Sequence, residues 1–253
     1  MSVTVDLTGR RVLVTGASSG IGAATCRSIV SCGGSVAMLA RRKERLDDLH
    51  QELGAQAVGV PADVTDLGAL EAAIGEAARA LGGLDGAVAV AGRTFAGGMV
   101  TGSPQAWREL MDINLVGPLA TARYAHQHFA GSGRRDIVVV GSTGSITPMP
   151  AAGAYSGSKA GLRAACESLR LELAPAGVNV GFVMPGFFDT EGLTLEGIVI
   201  DGDVPPNDFP LFADGGAPGD PAVLGDTIAF MLGMPDGIAI NELVARPTRQ
   251  LNP

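Results

Sequence analysis

Residues 11–22 read RVLVTGASSGIG, a short apolar, β-branched run that leads directly into a turn with three glycines. A helical stretch beginning AATCRSIV follows this turn. Gly16, Gly20 and Gly22 would let the backbone turn sharply and approach a pyrophosphate, whose charge is favoured by the free N–H groups at a helix start. Glycines also serve tight turns for purely conformational reasons. The position of this turn, after a strand and before a helix, therefore predicts a dinucleotide site.

Short apolar runs like the first one recur along the chain. The further strand-like runs lie at 35–39, 57–60, 86–90, 136–140, 178–183 and 238–244. Helical spacing is found between them, at 44–53, 67–81, 104–129 and 154–174. Alternating strands and helices require crossover connections, which produce a parallel sheet covered by helices on both faces. The sequence predicts a doubly wound α/β fold with a parallel seven-stranded sheet, as a single domain over residues 1–253.

Composition limits the functional classes that fit this chain. With 253 residues, 46% hydrophobic and 17% charged, it has enough apolar material for one sizeable core. The formal net charge of −8 argues against a nucleic-acid or anionic-membrane partner, since both need a basic patch. Three cysteines without CxxC spacing and three histidines without metal spacing predict neither a disulfide framework nor a metal site. Because no segment approaches eighteen uninterrupted apolar residues and the start lacks a signal-peptide pattern, we expect a cytoplasmic protein.

The end of the second strand bears on cofactor choice. It reads LARRKER, and places Arg41 and Arg42 where a cofactor with a free ribose 2′-hydroxyl would usually meet an acidic residue. A guanidinium suits a 2′-phosphate, so this stretch favours NADP over NAD. The alternative is that residues 41–43 only form the solvated start of the next helix. Asp63, after the third strand, is a candidate partner for the adenine amino group, or a cap for the helix that follows.

A tyrosine and a lysine stand four residues apart in AYSGSKAG, residues 154–161. On a helix, Tyr155 and Lys159 would present a phenol and an ammonium on the same face. A neighbouring positive charge favours the phenolate and so makes proton transfer possible nearer neutral pH. Such pairs also arise by chance on many helices, so the pair gains weight only from its surroundings.

Six motifs along the chain together match the pattern of one protein family, in the same order. They are TGASSGIG at 15–22, AG at 91–92, Asn114 in MDINLVG, Ser142 in VVVGSTGS, YSGSK at 155–159 and PGFFDT at 185–190. Over nearly its whole length the chain resembles the short-chain dehydrogenase/reductases, which have a Rossmann-type fold. The separation of Ser142 and Tyr155 matches that family.

The resemblance implies a catalytic set. Tyr155 would be the general acid/base that gives a proton to a carbonyl oxygen as hydride arrives from the nicotinamide. Lys159 would hydrogen-bond the nicotinamide ribose and, with the positive charge of the oxidised ring, lower the Tyr155 pKa. Ser142 would position the substrate oxygen, and Asn114 would hold a water that links Lys159 to solvent. Thr190 would meet the nicotinamide carboxamide.

The same resemblance, with the motif positions, gives the cofactor contacts and the arrangement of the chain. The expected cofactor residues are Gly16, Ser18, Ser19, Gly20, Ile21, Gly22, Arg41, Arg42, Asp63, Val64, Ala91, Gly92, Tyr155, Lys159, Pro185, Gly186 and Thr190. The cofactor half is expected at about 1–145, and the catalytic and substrate half at 146–253 with a mobile substrate loop at 187–218. Family members commonly form dimers or tetramers through the helices that carry Asn114 and Tyr155, so a homodimer or homotetramer is expected.

Two departures from the family pattern are present. Val90 stands where many members have an asparagine before Ala-Gly, which puts in doubt the hydrogen bonding that ties this loop to the neighbouring strand. The C-terminal INELVARPTRQ is more similar to the branch with NADP-dependent 3-hydroxy acid and serine dehydrogenases.

The substrate segment is both apolar and acidic. Its large apolar residues are Phe187, Phe188, Leu193, Leu195, Ile198, Ile200, Phe209, Leu211 and Phe212, and its acids include Glu191, Glu196, Asp201, Asp203, Asp208 and Asp214. With no Lys or Arg between Arg170 and Arg246, this segment disfavours a strongly anionic substrate, unless the acids only solubilise a loop. Arg93 is the one nearby cation that could hold a carboxylate.

The sequence thus predicts an NADP-dependent oxidoreductase that interconverts a secondary alcohol and a ketone or aldehyde, with a small or medium, largely apolar substrate. A 3-hydroxy acid dehydrogenase and a 3-oxoacyl-carrier-protein reductase are the alternatives within this class. A redox sensor that holds NADP without chemistry is the alternative outside it.

Overall fold

A computed structural model describes residues 5–130, 133–194, 197–204 and 211–251. Its strands are β1 Arg11–Thr15, β2 Ser35–Ala40, β3 Ala57–Pro61, β4 Gly86–Ala89, β5 Phe95–Gly97, β6 Arg135–Val140, β7 Val178–Pro185, β8 Val199–Asp201 and β9 Glu242–Ala245. Seven of these form one parallel sheet in the order β3-β2-β1-β4-β6-β7-β9. The remaining two, β5 and β8, pair in parallel in a separate small sheet.

Helices cover both faces of the large sheet. They are α1 Gly20–Ser31, α2 Lys43–Leu53, α3 Leu67–Leu81, α4 Pro104–Met111, α5 Gly117–His126, α6 Gly153–Leu173 and α7 Pro221–Leu232. One face carries α1, α2 and α7, and the other carries α3, α5 and α6. The predicted fold class, a doubly wound α/β sheet with seven parallel strands, is confirmed. No helix in the described part of the chain is long and apolar enough to cross a membrane.

The strands are apolar on both sides because both sides are covered. Val12 and Val14 of β1 belong to the core under α1, whereas Leu13 between them belongs to the core under α3. All three side chains are fully buried. Burial on two faces explains the near-continuous apolar runs in the sequence.

The strand order fixes where a ligand can bind. β1 pairs with β2 on one side and with β4 on the other, so the connections leave β1 and β4 in opposite directions. In an open sheet of this kind, the crevice at the carboxyl ends of such strands is the ligand site. The glycine turn after β1 and the Ala91-Gly92 segment after β4 both lie there.

Two predicted elements differ from the observed ones. The helix predicted over 104–129 is α4 and α5, joined by a π-helical turn at Asp112–Val116 in which the Gly117 N–H bonds the Asp112 carbonyl. Pro118 lacks the N–H that would bond the carbonyl four residues earlier, so a regular helix cannot pass through this point. The last predicted strand, 238–244, is observed as β9 at Glu242–Ala245.

Candidate active site

A cleft of about 600 Å³ opens at the carboxyl ends of the central strands. Every predicted cofactor residue lines it, together with Ser142. Of the predicted site residues only Asn114 lies behind the wall, where it is fully buried. The tertiary structure therefore brings predicted residues that are up to 174 positions apart in the sequence, Gly16 and Thr190, into one cavity.

The glycine turn forms a cradle that side chains would fill. Gly16 has φ +70°, and a Cβ built on it would lie 2.8 Å from the Ala91 backbone nitrogen. A Cβ on Gly22 would lie 2.1 Å from the Gly16 carbonyl oxygen. Close contact between the turn, the start of α1 and the loop after β4 thus depends on glycine at these two positions. The Ser19 side chain does not cap the first N–H groups of α1.

Arg42 is held in a defined position at the cleft wall. Its guanidinium donates to Ser18 Oγ at 3.0 Å, Ser19 Oγ at 2.9 Å and Glu191 Oε2 at 2.8 Å. Arg45 lies 3.4 Å from the other oxygen of Glu191. Arg41 and Arg42 therefore line the cleft, and Arg42 is at the same time the residue that directly precedes α2.

Asp63 lines the cleft between two arginines. Its carboxylate accepts from the Thr65 N–H at 3.0 Å and the Thr65 hydroxyl at 2.8 Å, and lies 3.7 Å from Arg41. Burial opposes its ionisation, but the bonds from Thr65 and the charges of Arg41 and Arg93 lower its pKa below the usual value. The helix α3 is capped by Asp66, which accepts from the Ala69 N–H, so Asp63 is not the cap of that helix.

Ser142, Tyr155 and Lys159 meet at the floor of the cleft. Ser142 follows β6, and Tyr155 and Lys159 share one face of the first turns of α6. Lys159 is 4% exposed and donates to the Val140 carbonyl oxygen at 3.3 Å. Burial lowers the Lys159 pKa to about 8.

The expectation that Lys159, together with the positive charge of an oxidised nicotinamide ring, lowers the Tyr155 pKa concerns the protein with bound cofactor and stays a prediction. Burial raises the pKa of Tyr155, and a hydrogen bond with Ser142 only partly offsets this effect. Removing a phenol from water disfavours its charged form. Tyr155 is therefore a protonated phenol at neutral pH.

Asn114 ties the loop after β4 to the helix layer. Its Oδ1 accepts from the Arg93 N–H at 2.8 Å, and its Nδ2 donates to the Arg93 carbonyl at 2.9 Å and to Ser158 Oγ at 3.3 Å. Both hydrogen-bonding groups of one peptide segment are thus held by a single side chain. Because Thr15 Oγ1 also accepts from the Ala91 N–H at 3.5 Å, the loop has anchors despite Val90.

The substrate side of the cleft is partly apolar. Phe188, Leu193 and Val199 line it, and β8 holds Val199 against β5. By contrast, Phe187 packs edge-on against Phe212 with ring centres 6.1 Å apart, and Ile200 is 61% exposed. The predicted residues Leu195, Glu196, Asp208 and Phe209 lie outside the described part of the chain.

Several lining residues were missed by the sequence analysis. They are Leu39, Ala40, Ala62, Thr94, Ile113, Val140, Gly141, Gly192, Gly197 and Val199. The pairing of Glu191 with Arg42 was missed as well, although Glu191 directly follows the PGFFDT motif. No sequence signal links two residues 149 positions apart, because only the return of the chain after β7 brings them together.

The histidines lie away from the cleft. His50 Nδ1 is 2.7 Å from the Ala57 carbonyl oxygen, and His126 packs edge-on against Phe129. Within the described ranges, no group of three or more His, Cys, Asp or Glu residues is placed to hold a metal ion.

The strand order and the glycine turn define a Rossmann-type α/β protein. The chain matches the short chain dehydrogenase family over residues 10–196. It belongs to this family.

Relatives and solved structures agree with this assignment. Glycine betaine reductase of Emericella nidulans is 31% identical over 95% of this chain, and 11-beta-hydroxysteroid dehydrogenase-like 2 of Arabidopsis thaliana is 34% identical over 75%. The chain spans only 19% and 62% of the lengths of these two proteins. A short chain dehydrogenase from Burkholderia cenocepacia, solved in complex with NADP, superimposes with a TM-score of 0.80 at 28% identity, covering 95% of this chain and 97% of that one.

Proposed function

We propose that this protein is an NADP(H)-dependent oxidoreductase that interconverts a secondary alcohol and a ketone or aldehyde, with Tyr155 as general acid/base. The observation that carries the proposal is a protonated, Ser142-bonded phenol that lines the same cleft as the glycine turn and Arg42. A proton donor and a phosphate cradle in one cavity are what hydride transfer to a carbonyl requires.

The residues present fit the cofactor. The space that Gly16 and Gly22 leave open suits the pyrophosphate, and the guanidinium groups of Arg41 and Arg42 suit a 2′-phosphate. When bound, NADPH supplies the hydride and NADP⁺ accepts it. The NADP found in the Burkholderia cenocepacia structure supports this choice.

Tyr155 can donate a proton at neutral pH because burial keeps its pKa high. Ser142 holds the phenol by a hydrogen bond and presents a second polar atom to a substrate oxygen. In the direction of alcohol oxidation Tyr155 must first lose its proton, so that direction is favoured by alkaline pH.

Lys159 supplies the positive charge that a phenolate at Tyr155 needs. With a pKa of about 8, it is mostly protonated at pH 7, and it lies one helical turn after Tyr155 on α6 and lines the same cleft. Its ammonium would stabilise the phenolate once Tyr155 has given up its proton. Asn114 contributes by holding the Arg93 segment, and the water predicted at Asn114 stays part of the proposal.

The substrate we propose is a small or medium, largely uncharged carbonyl compound. The wall of Phe188, Leu193 and Val199 supports this proposal. Arg93 also lines the cleft and favours a second candidate, a 3-hydroxy acid whose carboxylate would pair with that guanidinium. A sensor without chemistry has no need of a protonated phenol in the cleft.

Other parts of the sequence analysis stay predictions. These are the cytoplasmic location, the homodimer or homotetramer, the division near residue 145 and the mobility of the substrate loop. Val116 on the π-helical turn and Leu171 on α6 are exposed apolar side chains that support contacts between copies. Size-exclusion chromatography with light scattering measures the oligomer number directly.

The test compares wild type with Tyr155→Phe and, as a matched control, Tyr124→Phe, which removes the other tyrosine hydroxyl of the chain. NADPH binding is followed by fluorescence, and NADPH oxidation by absorbance with uncharged ketones and aldehydes, 3-oxo acids and a 3-oxoacyl thioester. We expect Tyr155→Phe to lower turnover by about 10²- to 10⁴-fold with NADPH affinity retained, and Tyr124→Phe to match wild type.

Each other outcome has a separate meaning. Turnover in Tyr155→Phe within a few-fold of wild type would refute the role of the phenol. Preference for 3-oxo acids would select the second candidate, and preference for the thioester would reverse the substrate proposal. NADPH binding without turnover in any variant would instead identify a sensor.

A further inference from the structure

Glu191 joins the substrate segment to Arg42 and Arg45. It is the first residue of a short 3₁₀ turn, Glu191–Leu193, that follows β7 and Thr190. Its carboxylate accepts from Arg42 at 2.8 Å, lies 3.4 Å from Arg45, and lines the cleft. The hydrogen bond from Arg42 and the charges of both arginines lower the pKa of Glu191, so it is ionised at neutral pH.

Arg42 has little donor capacity to spare. A guanidinium has five N–H groups in a fixed fork. Four hydrogen bonds already run from this group, two to Ser18, one to Ser19 and one to Glu191. A 2′-phosphate bound by Arg42 must therefore share or take over donors that now serve other acceptors.

The acceptors differ in what they do to an incoming phosphate. The two serine hydroxyls are neutral and can turn to donate to a phosphate oxygen. The Glu191 carboxylate offers no proton and carries a negative charge that repels the phosphate. An acidic side chain is what a free ribose 2′-hydroxyl usually meets in dinucleotide sites, there at the end of the second strand. Glu191 brings such a side chain to Arg42 from a different part of the chain.

We propose that Glu191 is a specificity-determining residue that competes with the 2′-phosphate for Arg42 and so reduces the preference for NADPH over NADH. The proposal rests on the proposed function, because it takes the cleft to be the cofactor site. Since Glu191 directly follows Thr190, the same contact links cofactor choice to the start of the substrate segment.

The test measures the Kd of NADPH and of NADH for wild type and Glu191→Gln by isothermal titration calorimetry. Glutamine keeps the shape of the side chain and removes its charge. We expect the NADPH Kd to fall by about three- to tenfold, and the NADH Kd to stay within twofold or to rise. Glu52→Gln is the matched control, because Glu52 makes an equally half-exposed pair with Arg27, at 2.6 Å, away from the cleft.

A second pair of variants tests whether the effect passes through Arg42. In an Arg42→Met background the Glu191→Gln change should no longer improve NADPH binding, because the contested donor is gone. An NADPH to NADH Kd ratio that is the same in Glu191→Gln as in wild type would overturn the proposal. So would an equal gain in Glu52→Gln, since it would show a general effect of net charge.

The outcome for Glu191 is separate from that of the proposed function. Wild type that binds NADH more tightly than NADPH would contradict the proposed cofactor. The change in the Kd ratio on removing the Glu191 charge still supports or overturns the role of Glu191 in that case.

Discussion

Replacing Asn114 with alanine should loosen the loop under the cofactor site. Asn114 is fully buried and holds both the N–H and the carbonyl of Arg93, at 2.8 and 2.9 Å. Each buried polar group that loses its partner costs about 1–3 kcal/mol. We therefore expect Asn114→Ala to lower the free energy of unfolding by about 2–4 kcal/mol.

Two measurements check this prediction. Urea unfolding followed by circular dichroism should give the loss of free energy of unfolding. The midpoint temperature of thermal unfolding, Tm, should fall by roughly 5–15 °C. NADPH affinity should fall by at least about fivefold, because Gly92 and Arg93 line the cleft and their position depends on Asn114.

Asn179→Ala is the control for this experiment. Asn179 also bridges backbone and side chain, donating to the Arg135 carbonyl at 3.4 Å and to Asp136 at 3.1 Å, but it lies at the amino end of β7. The Asn179→Ala variant should have a lower free energy of unfolding than wild type but the same NADPH affinity. If Asn114→Ala changed the free energy of unfolding by less than about 0.5 kcal/mol and bound NADPH as wild type does, the anchoring role of Asn114 would be refuted.

Three further variants test other parts of the site. Lys159→Met should be more stable than wild type at pH 7 by about 3 kcal/mol, because burial lowers the Lys159 pKa to about 8 and wild type buries a charge at that pH. The difference should shrink as the pH rises from about 8 towards 10.5, where the lysine becomes neutral, and urea unfolding across this range measures it. Gly22→Ala should lose NADPH affinity by more than about tenfold, since its Cβ would lie 2.1 Å from a backbone oxygen, whereas Gly157→Ala, with open space around it, should keep wild-type affinity in the same titration. Ser142→Ala should raise the Tyr155 pKa further by removing the bond that lowers it, so the pH profile of alcohol oxidation should shift to more alkaline pH, and an unshifted profile would contradict this assignment.

The residues that the sequence assigns to the cofactor all line one cleft, and many of them belong to a backbone turn. Gly16 and Gly22 are needed wherever a strand turns directly into a helix at a pyrophosphate, so their spacing is visible in the chain. Tyr155 and Lys159 are one helical turn apart, and their relation is also local. The glycine turn and the Tyr155–Lys159 pair each involve residues that are close in sequence, so the sequence alone could predict them.

Contacts made across the fold were not predicted. The clamp of Asn114 on Arg93 depends on a π-helical turn facing the loop after β4. The hold of Glu191 on Arg42 depends on the turn after β7 reaching the residue that precedes α2. The burial of Tyr155, which raises its pKa in the protein on its own, was not visible in the sequence either.

The sequence by itself determined the alternation of strands and helices, the glycine turn and the order of the catalytic motifs, since periodicity and spacing are properties of the chain. Only the tertiary structure decided which charges face one another and how far each ionisable group is removed from water. Electrostatic energies depend on distance and burial, and the packing of the whole sheet sets both of these.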